Sequence, residues 1–263
     1  MDDLGVAVVI EDDVDIRNLL EGVLTQAGFE VHTAADGREG VEVVRHRQAS
    51  VVTLDIGLPD IDGFEVLRRI RGFSDAYVVM LTGRTEEPDL LSALNAGADD
   101  YIAKPFRPRE LRARVAAMLR RPRHEIQGQQ ALAPAAWAAP PAAPAQLADT
   151  GVLRHNGLAL NPRTRTVTMD GENLGLTRSE FDLLHTLLKG AGAVCTRSHL
   201  VRAVRGDLYE ADAYISEADE RAVEVHIGNL RRKLQEDPQS PRWLQTVRGV
   251  GYRLAPKRAD QQS

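Results

Sequence analysis

The chain has 263 residues, with 38 Asp and Glu against 33 Lys and Arg for a formal net charge of −5, and a single cysteine. That length can bury two ordinary cores, while one cysteine excludes an intramolecular disulfide or a cysteine-based zinc site and fits a reducing cytoplasm. The apolar runs stop well short of the ~18 residues that mark a membrane-span candidate, and the acidic start "MDDLGVAVVIEDD" lacks the basic flank of a secretion signal.

The net charge hides a division. Residues 1–121 hold 22 acidic and 15 basic residues, residues 150–263 hold 14 and 17, and between Arg221 and Arg258 nine basic residues face three acidic ones. An acidic front and a locally basic end predict two modules with different partners.

In chain order, short apolar runs recur at 6–10 (VAVVI), 29–34 (FEVHTA), 51–54 (VVTL), 77–81 (YVVML) and 101–103 (YIA). Continuous β-branched runs indicate strands buried on both faces, as in a parallel sheet. The segments between them, such as "DIRNLLEGVLTQAG" and "FEVLRRIRG", carry apolar residues at helical spacing and end in Gly. Five such units in residues 1–121 predict an α/β fold, a five-stranded doubly wound parallel sheet with right-handed crossovers. Residues 122–150 are rich in Ala, Pro and Gln and read as an extended linker, with Trp137 as its lone aromatic. The module at 151–258 opens with alternating residues and turns at "NPRT" and "MDGE", a pattern of short antiparallel strands. "LTRSEFDLLHTLLKG" reads as a helix with a capping box, Thr177 and Glu180. Two further helical segments follow, "RSHLVRAVRG" and one beginning near Glu220, then two strands around the turn in "WLQTVRGVGYRLAP". That succession is the layout of an α+β winged helix-turn-helix domain. Cys195 is expected as a small buried side chain.

Ligands of open α/β sheets bind outside the carboxyl ends of the strands. There the first strand is followed by Glu11, Asp12 and Asp13, the third by Asp55, the fourth by Thr82, and the fifth by Lys104 and Pro105. Taken singly, an Asp after a strand is usually a cap or turn residue; the whole set at one rim is a constellation. Carboxylates from two strands repel unless a hard cation joins them, and oxygen-only ligation suits Mg²⁺. Mg²⁺, the Lys104 ammonium and the Thr82 hydroxyl together can neutralise the oxygens of a transferring phosphoryl group. Asp55 is then the nucleophile, and an aspartyl phosphate the product. Asp60 and Asp62 are expected to shape the following turn, with Asp62 capping the helix "GFEVLRRIR".

"VVIEDD", "TLDIGLPDIDG", "MLTGR" and "ADDYIAKPF" together resemble the flavodoxin-like receiver domain of a two-component response regulator over residues 5–121. The resemblance implies that Asp55 accepts phosphoryl from a sensor histidine kinase. It also implies that Asp12, Asp55 and the Gly57 carbonyl hold Mg²⁺ with help from Glu11. Lys104-Pro105 resembles the family's cis-peptide turn. Tyr101 is implied as the aromatic switch that follows Thr82 inward. Asp99, Asp100, Glu110, Arg114 and Arg121 resemble the charges by which activated receivers pair in a two-fold homodimer, notably Asp100 with Arg114. A basic residue is usual where Leu90 stands, so the bridge to Glu110 is expected to be missing. Gly57 stands where many relatives carry Met, which bears on the lifetime of the phosphate.

"LTRSEFDLL", "VEVHIGNLRRKL" and "TVRGVGYRL" resemble the effector domain of OmpR/PhoB regulators from about 151 to 256. The third helix presents Arg221, His226, Asn229 and Arg232 at roughly helical spacing, suited to reading double-stranded DNA in the major groove. Arg231 and Lys233 are expected at phosphates, and Arg248 or Arg253 at the neighbouring minor groove. The stretch at 207–220 holds six acids and no base and is longer than the family's loop, which is where such regulators meet RNA polymerase. A mobile acidic loop repelled by DNA is the alternative. The resulting expectation is a phosphorylation-switched transcription factor, not an enzyme beyond its own phosphotransfer. Two other readings compete. A haloacid-dehalogenase-type phosphatase would want an Asp where Gly57 stands and leaves the winged helix unexplained; a phosphate-independent interaction domain would have a broken acidic pocket.

Overall fold

The structure, a computed structural model, describes residues 4–83, 87–119, 151–205, 215–237 and 239–257. The linker at 122–150, Arg121 and most of the acidic loop lie outside the described residues, as do the side chains at Leu90 and Glu110.

The first domain alternates β1 (Val6–Ile10), α1 (Val14–Gln26), β2 (Glu30–Ala34), α2 (Gly37–Arg47), β3 (Val51–Asp55), α3 (Gly63–Arg71), β4 (Tyr77–Thr82), α4 (Glu87–Asn95), β5 (Asp100–Ala103) and α5 (Pro108–Leu119). All four strand pairs are parallel, in the order β2-β1-β3-β4-β5. β3 and β4 are buried at every residue, which is why their sequences carry no polar alternation. The strand order reverses between β1 and β3, so the crevice that receives ligands opens at their carboxyl ends.

Short acids start three of the helices. Asp13 accepts the N–H groups of Asp15 and Ile16 at 2.8 and 3.0 Å, Asp36 that of Glu39 at 2.9 Å, and Asp62 that of Glu65 at 2.8 Å. Each satisfies amides that the first turn leaves without helical partners. Asp60 bonds backbone of its own turn, as expected, and also reaches beyond it. Its carboxylate reaches α2, taking Gly37 N–H at 2.8 Å and Arg38 N–H at 3.0 Å. Free N–H groups at a helix start are good donors for an anion. Gly63 is required by close approach: a Cβ there would collide with the Asp55 carbonyl, so α3 starts hard against the end of β3.

The second domain begins with an antiparallel sheet of β6 (Leu153–His155), β7 (Leu158–Asn161), β8 (Thr166–Met169) and β9 (Glu172–Asn173). α6 (Arg178–Lys189), β10 (Cys195–Thr196), α7 (Arg197–Arg205), α8 (Glu217–Lys233), β11 (Leu244–Val247) and β12 (Gly251–Leu254) follow, the last two strands and β10 forming a second antiparallel sheet. This is the expected winged helix. The capping box on α6 is present, with Thr177 and Glu180 each bonding the other's backbone. α8 starts three residues before the expected Glu220, because Ser216 and Asp219 form a second capping box. Cys195 is buried.

One apolar core lies on each face of the parallel sheet and a third inside the winged helix. The core on the α3–α4 face does not stop at the domain boundary. Ala222 of α8 is part of it, with Ala218 and Val225 packed alongside.

Candidate functional site

The rim of the parallel sheet gathers the predicted constellation. Lys104 follows β5, and its ammonium lies 2.8 Å from Glu11 Oε1 after β1 and 2.8 Å from Asp55 Oδ1 at the end of β3. Asp55 Oδ2 accepts the Gly57 N–H at 3.2 Å. Thr82 is buried at the end of β4, and the Lys104 N–H returns to its carbonyl at 2.6 Å. The Lys104-Pro105 bond is cis, as the sequence resemblance implies. Arg17 of α1 donates to the carbonyls of Glu11 and Asp12 at 2.6 and 3.0 Å, which fixes the loop that carries both acids.

Electrostatics make this a pocket for a cation and an anion together. Carboxylate oxygens of Glu11, Asp12 and Asp55 lie within 4.8 Å of one another. Glu11 is fully buried, and its Oε2 has no hydrogen-bond partner. Burial pushes the Glu11 carboxyl above its ordinary value, against the opposing hydrogen bond from Lys104. Burial would lower the Lys104 ammonium, but hydrogen bonds to Asp55 and Glu11 outweigh it and hold the group above the ordinary lysine value. An orphaned carboxylate oxygen beside two other acids, with oxygen donors alone, fits a hard divalent cation. A cleft of about 510 Å³ stands over Asp55, walled by Gly57, Phe64, Thr82 and Lys104. A Cβ at Gly57 would stand 3.5 Å from Asp55 Oδ2, so glycine leaves that side of the carboxylate uncovered.

The residues expected to read DNA are placed differently. α8 lies along α4. Asn229 Nδ2 donates to the Leu94 carbonyl at 2.8 Å, and Arg232 reaches the Asn95 carbonyl at 3.5 Å. These are last-turn carbonyls of α4, and that of Leu94 also takes the Gly97 N–H at 3.1 Å. Across the same seam, Asp99 Oδ1 accepts the Ser179 N–H in the first turn of α6 at 3.0 Å. The Asp99 carbonyl meets Ser179 Oγ at 3.3 Å and His226 Nε2 at 3.2 Å. Asp99 is kept in place from its own domain by Arg71 at 2.6 Å and the Val78 N–H at 3.0 Å. His226 and Asn229 are thus buried against the first domain and do not face a groove in this conformation.

The other basic candidates divide. Arg231 donates to the Leu244 carbonyl and to Thr246, stacked over Tyr252, and Lys233 pairs with buried Glu180 at 2.6 Å, so both brace their own domain. Arg253 bonds Gln245 at 2.8 Å along the hairpin. Arg221 sits on an open face of α8, 3.9 Å from Glu217, and Arg248 is exposed at the hairpin tip.

The expected dimer charges Asp100 and Arg114 pair within one chain, at 2.8 Å. Arg205, at the end of α7, joins them: it lies 3.4 Å from Asp100 and 2.6 Å from Asp219. Burial would raise the Asp100 carboxyl, but Arg114 and Arg205 overcome it and hold the group below its ordinary value. Tyr101, the expected switch, is buried in the apolar cluster that takes in Ala222, and burial raises its phenol. Sequence reasoning missed Arg205, Asp219, Ser179 and Arg71. The contacts that place Arg205, Ser179 and Arg71 at the seam are to residues distant in the chain. The only hint was Arg205 itself, a basic residue at the last turn of a helix beside a long acidic loop.

Comparison with known proteins bears on the family of the chain. Residues 7–116 match the family model described as response regulator receiver domain, and residues 171–254 match that of transcriptional regulatory protein, C terminal. The chain is 38% identical over 249 residues to the transcriptional regulatory protein AfsQ1 of Streptomyces coelicolor, covering 95% of this chain and 97% of that one. It is 36% identical over 245 residues to "Probable transcriptional regulator ycf27" of Guillardia theta, covering 93% and 88%. Among solved structures, a mutant of RitR is similar in fold, with a TM-score of 0.66 at 23% identity over 95% of this chain and 99% of that one.

Proposed function

The chain belongs to the OmpR/PhoB response regulators, two-component regulators of transcription and not conventional enzymes, and from that premise we propose that Asp55 is its phosphoacceptor and the described conformation its resting, closed form. The observation that supports this most is the Lys104 ammonium shared between Asp55 and Glu11, 2.8 Å from each, at the floor of an open cleft.

In this reading a sensor histidine kinase docks in the cytoplasm and presents its phosphohistidine to the cleft. Asp55 Oδ attacks phosphorus, the N–P bond breaks as the O–P bond forms, and the histidine nitrogen leaves with the electron pair. Glu11, Asp12, Asp55 and the Gly57 carbonyl would hold Mg²⁺, which when bound neutralises charge on the transferred group. Lys104 pairs with one phosphoryl oxygen and Thr82 donates to another. Thr82 then draws toward the phosphate and Tyr101 follows into the space it leaves. Because Tyr101 shares a buried cluster with Ala222, its movement loosens the seam from inside.

Opening releases α8 to double-stranded DNA, where Arg221, His226, Asn229 and Arg232 reach bases and Arg248 enters the adjacent minor groove. Arg231, Lys233 and Arg253 support that surface from within the domain. Opening also frees Asp99, Asp100 and Arg114 for a second receiver, with Glu110 and Arg121 completing a two-fold homodimer. The acidic stretch 207–220 is the proposed contact with RNA polymerase. Incubating the full chain with a small phosphodonor and Mg²⁺, then measuring intact mass, tests the reading. Wild type gains one phosphoryl group and Asp55→Asn gains none; equal phosphorylation of the variant overturns it.

A further inference from the structure

Among the histidines of the described residues, His226 is the one buried at the domain seam, on the helix that the seam covers. It is 2% exposed and its Nε2 lies 3.2 Å from the Asp99 carbonyl. A carbonyl only accepts, so the ring must donate there, and a neutral imidazole with its proton on Nε2 does so. A second proton would place a full positive charge on a ring that is almost wholly buried, on the helix whose Ala222 joins the receiver core.

The charges around it are already committed. From β5 and its entry, Asp99 is engaged by Arg71, Val78 and Ser179, and Asp100 by Arg114 and Arg205. From α6, Glu180 is held by Lys233 of α8, and from α7 Arg205 also serves Asp219. The described turn of α4, residues 91–95, brings no ionisable group. Nearby carboxylates favour the imidazolium, yet desolvation outweighs them and holds the ring below its ordinary value.

We propose that the seam is a proton-sensitive latch: the domains close only over neutral His226, and protonation of this ring opens the chain and uncovers α8. The inference rests on the reading of this conformation as the closed resting form. The sign follows from linkage. A group lowered in the closed form leaves closure untouched above its open-form value, and weakens closure as pH falls below it. Asp100, held below its ordinary value by two arginines, stays ionised through that window, so its contribution persists.

Small-angle X-ray scattering of the unphosphorylated full chain, without DNA, reads the outcome. With an ordinary histidine value of ~6.5 in the open form, lowering the pH from about 7.5 to about 5.5 shifts the closed-to-open ratio by up to about tenfold. His226→Gln keeps a donor for Asp99 but cannot titrate, and is expected to stay equally compact at both values. Equal expansion of wild type and His226→Gln would overturn the proposal. So would a wild type compact at both values while Arg205→Ala is open, which leaves the closed form standing. If wild type is already as extended as Arg205→Ala at pH 7.5, the closed-form reading itself has failed. Should His226→Gln not fold, the imidazole resonance of His226 decides: it titrates at higher pH in Arg205→Ala than in wild type, and identical titration overturns the proposal.

Discussion

Lys104 is the residue on which the acidic pocket balances. Its removal leaves Glu11, with no exposed surface, and Asp55 facing each other and Asp12 without a cation. Breaking a buried pair by deleting one partner costs about 3–5 kcal/mol. Lys104→Met is therefore expected to lower the urea midpoint by a corresponding amount, and millimolar Mg²⁺ to restore part of it. A midpoint unchanged by the substitution would show that the ammonium does not hold the pocket together. Gly57 has the opposite character, absent bulk where a side chain would stand 3.5 Å from the Asp55 carboxylate. The types and positions of the pocket residues were legible in sequence, because each follows a strand whose apolar run is unmistakable. The further role of Asp60 was not: its partners Gly37 and Arg38 lie 23 and 22 residues earlier, and nothing in a turn sequence says that its carboxylate also reaches another helix.

At the scale of elements, the two capping boxes govern the helices that meet at the seam. Thr177 and Ser216 each bond the amide three residues on. Replacing either by Ala is expected to cost about 1 kcal/mol in thermal or denaturant unfolding. Ser216→Ala should in addition fray the start of α8, read as faster amide exchange at Glu217–Glu220 and not at Lys233. Ile70 of α3, fully buried, is the contrasting case. Ile70→Ala should cost about 2–5 kcal/mol by leaving a cavity under the receiver sheet. Strand runs and the Thr177 box could be read directly from spacing. The start of α8 could not, because Asp219 stands where the usual box has Glu or Gln, and the acids before it read as loop.

The whole molecule is governed by the seam, and the seam is the part the sequence concealed. Asp99 and Ser179 lie 80 residues apart, Asp100 and Arg205 are separated by 105, and Leu94 and Asn229 by 135. Each residue alone reads as a solvated helix face or a base reader, and only the docked domains reveal that they cap each other's helices. Under the proposed function, one surface has two uses. Asn229 cannot donate to Leu94 and to a base together, and Asp100 cannot serve Arg205 and a second receiver in the same geometry. Arg205→Ala, which removes the ion pair to Asp100 across the seam and the pair to Asp219 within its own domain, is expected to raise DNA affinity of the unphosphorylated chain by about tenfold or more, as for loss of about 1.4 kcal/mol of closure. Unchanged affinity in an otherwise folded variant would mean that Arg205 does not restrain α8.

The most direct test of phosphorylation-driven release is DNA affinity of the full chain with and without a small phosphodonor and Mg²⁺, at fixed salt, in wild type and Asp55→Asn. Affinity should rise on phosphorylation of wild type to at least the level of unphosphorylated Arg205→Ala, and stay unchanged in Asp55→Asn. A wild type whose mass shows the added phosphoryl group but whose affinity does not change would contradict it.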